Sequence, residues 1–381
     1  MSAHLQADRR IGRIPVRNLW LLMLYASALA RTGAIGTFLT DDQIDDLPDL
    51  IARLLAESVD RRFRRNLTRG YRHRESTVSR VRGRIDFLTT ETRMLLSRGE
   101  VFCRFEELTM DTPRNRLVRT ALEKVARLIR DKDLLLRCRS LASSLARCGV
   151  SGVRPTHADL ARDQIGRNDS GDRNMVALAE LAFDLALPTE DPGTQTLAAP
   201  AREETWVRRL FEKAVLGFAQ TELEPLQWGV RGGGHINWQV SYASEGLTAI
   251  LPRMVTDIVL DEPNRGTRVV IDTKFASVLE KGRFGDAVIK SQYLYQMYAY
   301  IRSQEGLDSR WEKASGLFIH PAIDATLHET VVIQGHAITF ATVDLSKPAA
   351  EFRRELRLVL LGAAIHSDGV RTSPVGDTVH Q

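Results

Sequence analysis

Asp257, Asp272 and Lys274 are the residues of this chain whose types and spacing are suited to chemistry. They lie in Met254-Val-Thr-Asp-Ile-Val-Leu-Asp-Glu-Pro-Asn-Arg-Gly-Thr-Arg-Val-Val-Ile-Asp-Thr-Lys274, two apolar runs around a turn-rich stretch from Asp261 to Gly266. Side chains alternate across a strand, so Asp272 and Lys274 share one face while Ile271, Thr273 and Phe275 point the other way. A turn centred near Pro263 and Asn264 puts Asp257 opposite Val270. Asp257 is then a diagonal neighbour of Asp272, at about 7–8 Å between Cα atoms. Two carboxylates held this close repel unless a cation lies between them. Mg²⁺, or Mn²⁺ in its place, suits such a pair: it takes one or two carboxylates and keeps waters, leaving room for a phosphate. An adjacent ammonium would orient an attacking water and stabilise developing negative charge. Hydrolysis of a phosphate ester is the chemistry these residues fit, and a surface hairpin with a solvated Asp–Lys pair is the alternative.

Two helices are placed to complete the group. In the helix read over 203–223, the apolar stripe is Trp206, Val207, Leu210, Ala214 and Phe218, with Glu212 off its centre. Glu212 is therefore either a solvent-facing carboxylate or a further acidic ligand. In the helix read over 286–303, Gln296 and Tyr300 are four residues apart and share a face. An amide and a phenol there would order the lysine or a phosphate, or would simply pack.

The elements around them follow from periodicity and punctuation. A short polar arm, residues 1–10, precedes a buried-looking helix over 18–31. Further helices are expected over 47–65, 113–130, 134–148 and 174–187, and residues 77–89 read as a strand or hairpin around Gly83. The stretch 188–200 has three prolines and no apolar period, and it is taken as a linker. Beyond it come a turn at Gly232, Gly233 and Gly234, strands over 236–242, 254–260, 268–275, 314–320 and 329–333, a closing helix over 349–361, and a loose tail over 366–381. The expected organisation is an N-terminal domain (1–187), mostly helical with a short β element, then the linker, then an α/β domain (201–365) with a mixed central sheet flanked by helices.

Composition narrows the class. The chain has 381 residues, 43% hydrophobic and 27% charged, enough apolar material for more than one core. Three cysteines without CxxC spacing exclude a cysteine-based zinc site and a secreted disulfide framework, and all three read as small core residues. The longest apolar run, residues 19–30, is about 12 residues and too short to span a bilayer. It imitates a signal peptide, but a long, Asp8-containing region precedes it and Asn18 can cap an ordinary helix. The expected location is the cytoplasm. No G-x-x-x-x-G-K-[ST] loop is present, so no bound nucleotide is expected, and HExxH and GxSxG are absent too. His320 reads as a packed residue.

Charge is unevenly placed. Residues 61–84 hold ten arginines (Arg61, Arg62, Arg64, Arg65, Arg69, Arg72, Arg74, Arg80, Arg82 and Arg84) against one acid, Glu75. Arginine never deprotonates and its planar fork matches phosphate. This stretch is either a solvated face or a surface for double-stranded DNA or an acidic partner.

Asp257, Asp272-Thr273-Lys274 and Gln296-x-x-x-Tyr300 resemble the PD-(D/E)xK nuclease signature in the variant with a downstream Q-x-x-x-Y. The wider wording is similar to McrC, the nuclease subunit of McrBC modified-cytosine restriction systems. That wording includes Leu251-Pro-Arg-Met-Val-Thr-Asp-Ile258, Ile271-Asp-Thr-Lys-Phe275, Tyr295-Gln-Met-Tyr-Ala-Tyr300 and Leu210-Phe-Glu-Lys213. In the N-terminal half it includes Ile14-Pro-Val-Arg-Asn18, Val81-Arg-Gly-Arg-Ile85 and Phe105-Glu-Glu-Leu-Thr-Met-Asp-Thr-Pro-Arg-Asn-Arg116. The resemblance implies a PD-(D/E)xK domain and a Mg²⁺-dependent DNA endonuclease working with an AAA+ GTPase hexamer, McrB, which reads modified DNA. It also implies that the N-terminal part docks on that motor and stimulates its GTPase. In those terms Asp257, Asp272, the Thr273 backbone carbonyl and Glu212 would hold the metal, and Lys274 would assist the water. One departure is that Ser291-Gln-Tyr-Leu-Tyr295 lacks an acidic residue before the Leu-Tyr-Gln element. A non-cleaving adaptor of an AAA+ motor and a stand-alone repair nuclease are the alternatives.

Overall fold

The apolar stripes and caps of the sequence become helices close to where periodicity places them in the computed structural model. It describes residues 10–11, 14–27, 29, 47–163, 165, 170–186, 200–263, 266–281, 286–322 and 326–365. The chain divides into two compact units, Met1–Ala3 with Asp46–Leu187 and His4–Asp45 with Pro188–Gln381. Residues 4–45, expected with the N-terminal domain, therefore fall in the second unit. The tail 366–381 and the linker stretch up to residue 199 lie outside the described residues.

The reason for the early segment's placement is its helix. After the short strands β1 (Arg10–Ile11) and β2 (Ile14–Pro15), α1 (Val16–Ala26) is buried nearly all round, from Val16 through Tyr25. Such a helix needs neighbours on every side.

The first unit holds α2 (Leu47–Arg64), β3 (Gly70–Val78), β4 (Arg84–Ile85), α3 (Phe87–Thr92), β5 (Val101–Thr109), α4 (Pro113–Val125), α5 (Lys132–Arg147), α6 (His157–Arg162) and α7 (Ser170–Ala186). Helix starts follow local chemistry. Thr112 caps α4 with Pro113 in its first turn, and Asp131 caps α5. The strands form an antiparallel sheet in the order β3-β5-β4. Residues 77–89 are thus no hairpin. β3 ends at Val78, β4 is two residues long, and Asp86 starts a helix by accepting a hydrogen bond from Thr89 N–H. The partner strand, β5, begins more than twenty residues further on and was not anticipated. A buried ionic knot ties this unit together. Arg114 pairs with Asp163 (2.5 Å) and Asp172 (3.1 Å), and Arg62 also reaches Asp172 (3.1 Å). Of the cysteines, Cys103 and Cys138 are buried as expected, but Cys148 is exposed.

The second unit adds α8 (Pro200–Leu223), β6 (Gly229–Ile236), α9 (Leu247–Ile250), β7 (Met254–Asp261), β8 (Arg268–Thr273), β9 (Leu279–Lys281), β10 (Ala287–Ile289), α10 (Ser291–Arg302), α11 (Ser309–Glu312), β11 (Ser315–Pro321), β12 (His328–Ile333), β13 (His336–Val343) and α12 (Ala349–Ile365). Six strands form a mixed sheet in the order β12-β13-β11-β8-β7-β6, with β8, β11 and β13 parallel to one another. The fold is α+β with a mixed central sheet. Alternation along β11 sends Ser315 to Ala363 O of α12, while Phe318 packs with Met297 and Ile301 of α10. The sheet is thus covered on both faces, which is why β8, β11 and β13 are buried along their whole length.

α1 docks on α8 within this unit. A Cβ on Gly217 would stand 1.8 Å from the Tyr25 carbonyl oxygen, so only glycine allows this approach. Tyr25 and Phe218 meet edge to face at 5.0 Å, and Asn18 Nδ2 donates to Leu345 O (2.6 Å) and Lys347 O (2.9 Å). The glycines read as a turn lie inside β6 instead. At Gly232 a Cβ would stand 2.3 Å from a Leu216 methyl carbon, so the glycine lets α8 press on the strand. Residues 237–242 form no strand, and β13 was missed in the sequence.

Candidate active site

The β7–β8 ladder pairs Ile258 with Ile271, Val259 with Val270, Leu260 with Val269 and Asp261 with Arg268. This register is two residues away from the expected one, because the connection is centred one residue later. Continued by one residue, this register would set Asp257 opposite Asp272 rather than diagonal to it. The recorded pairing ends at Ile258–Ile271, and there the side chains take over. Asp257 Oδ2 accepts from the Thr273 backbone N–H (2.7 Å) and from Thr273 Oγ1 (2.9 Å).

Asp272 is almost wholly enclosed, with its side chain 3% exposed. Its Oδ1 accepts from Gln296 Nε2 (2.8 Å), and the same amide donates to Tyr300 OH (2.8 Å). Its Oδ2 lies 2.7 Å from Lys274 Nζ but has no well-aligned hydrogen bond. Burial is the main cause that pushes the Asp272 carboxyl up to about 6, and Asp257 adds to it, while Lys274 and Gln296 pull it down. Lys274 is held from the other side by its backbone N–H, which donates to Ile319 O (3.0 Å) of β11.

Glu212 is half-buried on α8, and its carboxyl is raised by burial first and then by the charge of Asp257. Glu212 thus feels Asp257 through space and is neither fully exposed nor bonded to the acidic pair. Phe211 beside it stacks edge to face on Phe275 at 5.8 Å, fixing α8 against the segment that follows Lys274. The structure therefore bonds Asp272, Lys274, Gln296 and Tyr300 into one group, with Asp257 bonded to the adjacent Thr273 and Glu212 at the margin. Among the described residues, no three His, Cys, Asp or Glu side chains stand close enough together to hold a metal ion as a set.

His320 is fully buried, as expected. Nδ1 is 2.9 Å from Ala276 O, the ring packs on Tyr293, and burial lowers its pKa to about 4, so it is neutral at neutral pH. Two contributors escaped the sequence reading. Thr273 was considered only for its backbone carbonyl, although its N–H and hydroxyl orient Asp257. Arg208, one helical turn before Glu212, opens into the cavity next to Lys274. The i, i+4 spacing on α8 was the available signal.

The arginine stretch belongs to the first unit. Arg61, Arg64, Arg65, Arg69, Arg82 and Arg84 are exposed, whereas Arg62 is committed to Asp172. Arg74 pairs with Glu107 at 2.7 Å, and the Arg82 guanidinium lies 5.0 Å from the centre of the Phe105 ring. The stretch is part ionic scaffold and part free basic surface.

Residues 4–309, a span holding every member of this cluster, match the family described as McrBC 5-methylcytosine restriction system component. The chain belongs to that family. It is similar to the type IV methyl-directed restriction enzyme EcoKMcrBC of Escherichia coli (strain K12), 25% identical over 350 residues, covering 90% of this chain and 96% of the relative. Among solved structures it is similar to a refined half-complex from a tetradecameric assembly of Thermococcus gammatolerans McrB AAA+ hexamers with bound McrC. There the TM-score is 0.39 at 17% identity, over 88% of this chain and 75% of the other. Another similar structure is the McrBC complex of the same organism, with a TM-score of 0.30 at 16% identity over 44% and 50% of the two chains. The McrBC family match ends just past α10, so the family's shared sequence includes the whole β7–β8–α10 arrangement.

Proposed function

We propose that this chain is the DNA endonuclease subunit of a McrBC-type, type IV restriction system. It cuts DNA phosphodiester bonds with Mg²⁺, or Mn²⁺, in the cytoplasm. It does so in assembly with a McrB-like AAA+ GTPase hexamer that reads modified DNA. Its second unit is then a PD-(D/E)xK domain. The observation that carries this reading is that neighbouring strands β7 and β8 present two carboxylates together, Asp257 bonded to Thr273 and Asp272 with Lys274 Nζ 2.7 Å from its Oδ2.

The residues fit a divalent ion. Asp272 is nearly enclosed with Lys274 as its one cationic neighbour, and Asp257 and Glu212 add negative charge beside it, an excess that a divalent ion would relieve. Asp257 already spends one oxygen on Thr273, which aims the carboxylate. Asp257, Asp272 and the Thr273 carbonyl would hold the ion, with Glu212 reaching it through water. When bound, the ion supplies Lewis-acid stabilisation of charge on the phosphate. Gln296 locks the Asp272 carboxylate, and Tyr300 fixes the Gln296 amide by accepting its second hydrogen. Lys274 Nζ carries positive charge to the phosphate and lines up the attacking water.

The partner reading rests on the family and is supported by the first unit's surface. Tyr71, Phe87, Leu88, Met94 and Leu96 are exposed large apolar residues there, set among exposed arginines. The motor's nucleotide chemistry is assigned to the partner, because the chain has no phosphate-cradling P-loop.

The test is cleavage of methylated and unmethylated plasmid by the full chain, with and without the AAA+ partner and GTP, in Mg²⁺. Cutting of methylated plasmid that needs the partner is the expected result. Stimulated GTP hydrolysis without cutting would leave an adaptor, and cutting of unmodified DNA by the lone chain would leave a stand-alone nuclease.

A further inference from the structure

On the Lys274 side of the carboxylates, the second unit opens a cavity of about 350 Å³. Arg208 enters it from α8, Lys274 from the end of β8, and Gln292 and Gln296 from α10. Arg208 is exposed and, among the described residues, has no carboxylate within ion-pair distance, though it acts on Glu212 through space. Lys290, which does not line the cavity, is a third cation nearby. Its Nζ lies 5.6 Å from the centre of the Tyr293 ring, and Lys274 Nζ lies 5.8 Å from the same ring. The ring itself is buried and forms a wall of the cavity.

The cavity thus adjoins the carboxylates through Lys274, and its own charged lining is cationic, Arg208 and Lys274, with Lys290 nearby. A ligand of this cavity carries negative charge immediately beside the reacting phosphate. It is flanked by the Gln292 amide, which can donate a hydrogen bond, and by little open apolar surface, while both Gln296 amide hydrogens are committed to Asp272 and Tyr300. A nucleic-acid strand supplies that chemistry in its next phosphodiester.

The geometry points to a second phosphate subsite, in which Arg208, backed by Lys290 and the Gln292 amide, holds the phosphodiester adjacent to the one cut. The guanidinium fork donates in parallel to two phosphate oxygens. The strand is then pinned on both sides of Lys274. Arg208 is a positioning residue in this arrangement, since the bond that breaks lies at the carboxylates. The inference rests on the nuclease reading and names how that site grips its substrate.

The experiment uses the full chain and a fluorescein-labelled DNA duplex in Ca²⁺, with binding read by fluorescence anisotropy across a NaCl series. Arg208→Gln weakens binding about tenfold, the loss of one charge-assisted contact. It also makes the plot of log K against log salt shallower by about one. Arg208→Lys keeps the slope, and the melting temperature of Arg208→Gln matches wild type. With Mg²⁺, partner and GTP, Arg208→Gln raises KM more than it lowers kcat. Unchanged affinity, slope and KM in a wild-type background that cuts DNA would overturn the subsite and leave the nuclease reading intact. Failure of the wild-type chain to bind duplex at low salt would overturn the subsite as well. Binding with an Arg208-dependent slope but no cutting under any condition would support the phosphate subsite and sink the nuclease reading.

Discussion

Replacing Asp272 by asparagine removes the charge that the fold disfavours most at this site, so the variant is expected to be more stable than the wild type without divalent ions. The carboxyl is raised from an ordinary 3.8 to about 6, with burial as the main cause. A folded-state pKa above the unfolded one means that the folded chain binds more protons between those values. Stability therefore falls as pH rises through that window, and the loss is complete above about pH 6. The difference of roughly two pKa units corresponds to about 3 kcal/mol at 1.4 kcal/mol per unit. Asparagine is nearly isosteric with the neutral acid and still accepts from Gln296, so it recovers that amount at pH 7.5 and almost none at pH 4. For a unit of this size the gap amounts to about 6–12 °C in melting temperature. Thermal melts of both proteins in EDTA from pH 4 to pH 7.5 measure it. Addition of Mg²⁺ narrows the gap, because the ion stabilises only the wild type. An asparagine variant no more stable than wild type at pH 7.5, or a gap that does not shrink toward pH 4, would refute the reasoning.

The other predictions concern the supports of the site. Gly217→Ala drives a methyl into the Tyr25 carbonyl and costs at least about 2 kcal/mol, visible as a lower denaturation midpoint; an unchanged midpoint would contradict the α1–α8 contact. Asn18→Ala strands a buried carbonyl at Leu345 and a part-buried one at Lys347 and costs about 1–3 kcal/mol, which chemical denaturation would register. Gln296→Ala releases Asp272 and weakens metal affinity about 10- to 100-fold in calorimetric titration, whereas Tyr300→Phe, which loses only the outer bond, has a smaller effect. The reverse order for these two would mean that Tyr300 touches substrate directly.

Much of the site was legible because its residues are polar where an apolar strand should continue. Asp272 and Lys274 stand out against Val269, Val270 and Ile271, and two-residue alternation alone assigns them to one face. Their helical partners were legible for a similar reason, since Gln296 and Tyr300 repeat at i, i+4. The register was not, because six residues connect the strands and a shift of one in the centre of the turn moves every cross-strand pair by two. The role of Thr273 was hidden for a different reason: its backbone N–H bonds a side chain across the ladder, and no sequence pattern marks that. Long-range docking was equally hidden. α1 is apolar all round and so announces burial, but its partner is set by Gly217, nearly two hundred residues later. The glycines of β6 read as a turn because glycine marks turns more often than close approaches, and here Leu216 needed the space. β3 escaped notice because it is exposed along most of its length and shows no alternation.

The nuclease assignment is tested in a single reaction containing the full chain, the AAA+ partner, GTP, Mg²⁺ and methylated DNA, in which strand cutting and GTP hydrolysis are read together. Asp272→Ala and Lys274→Ala are each expected to abolish cutting while the stimulated GTPase stays at the wild-type level. Cutting that persists in either variant would place the chemistry elsewhere.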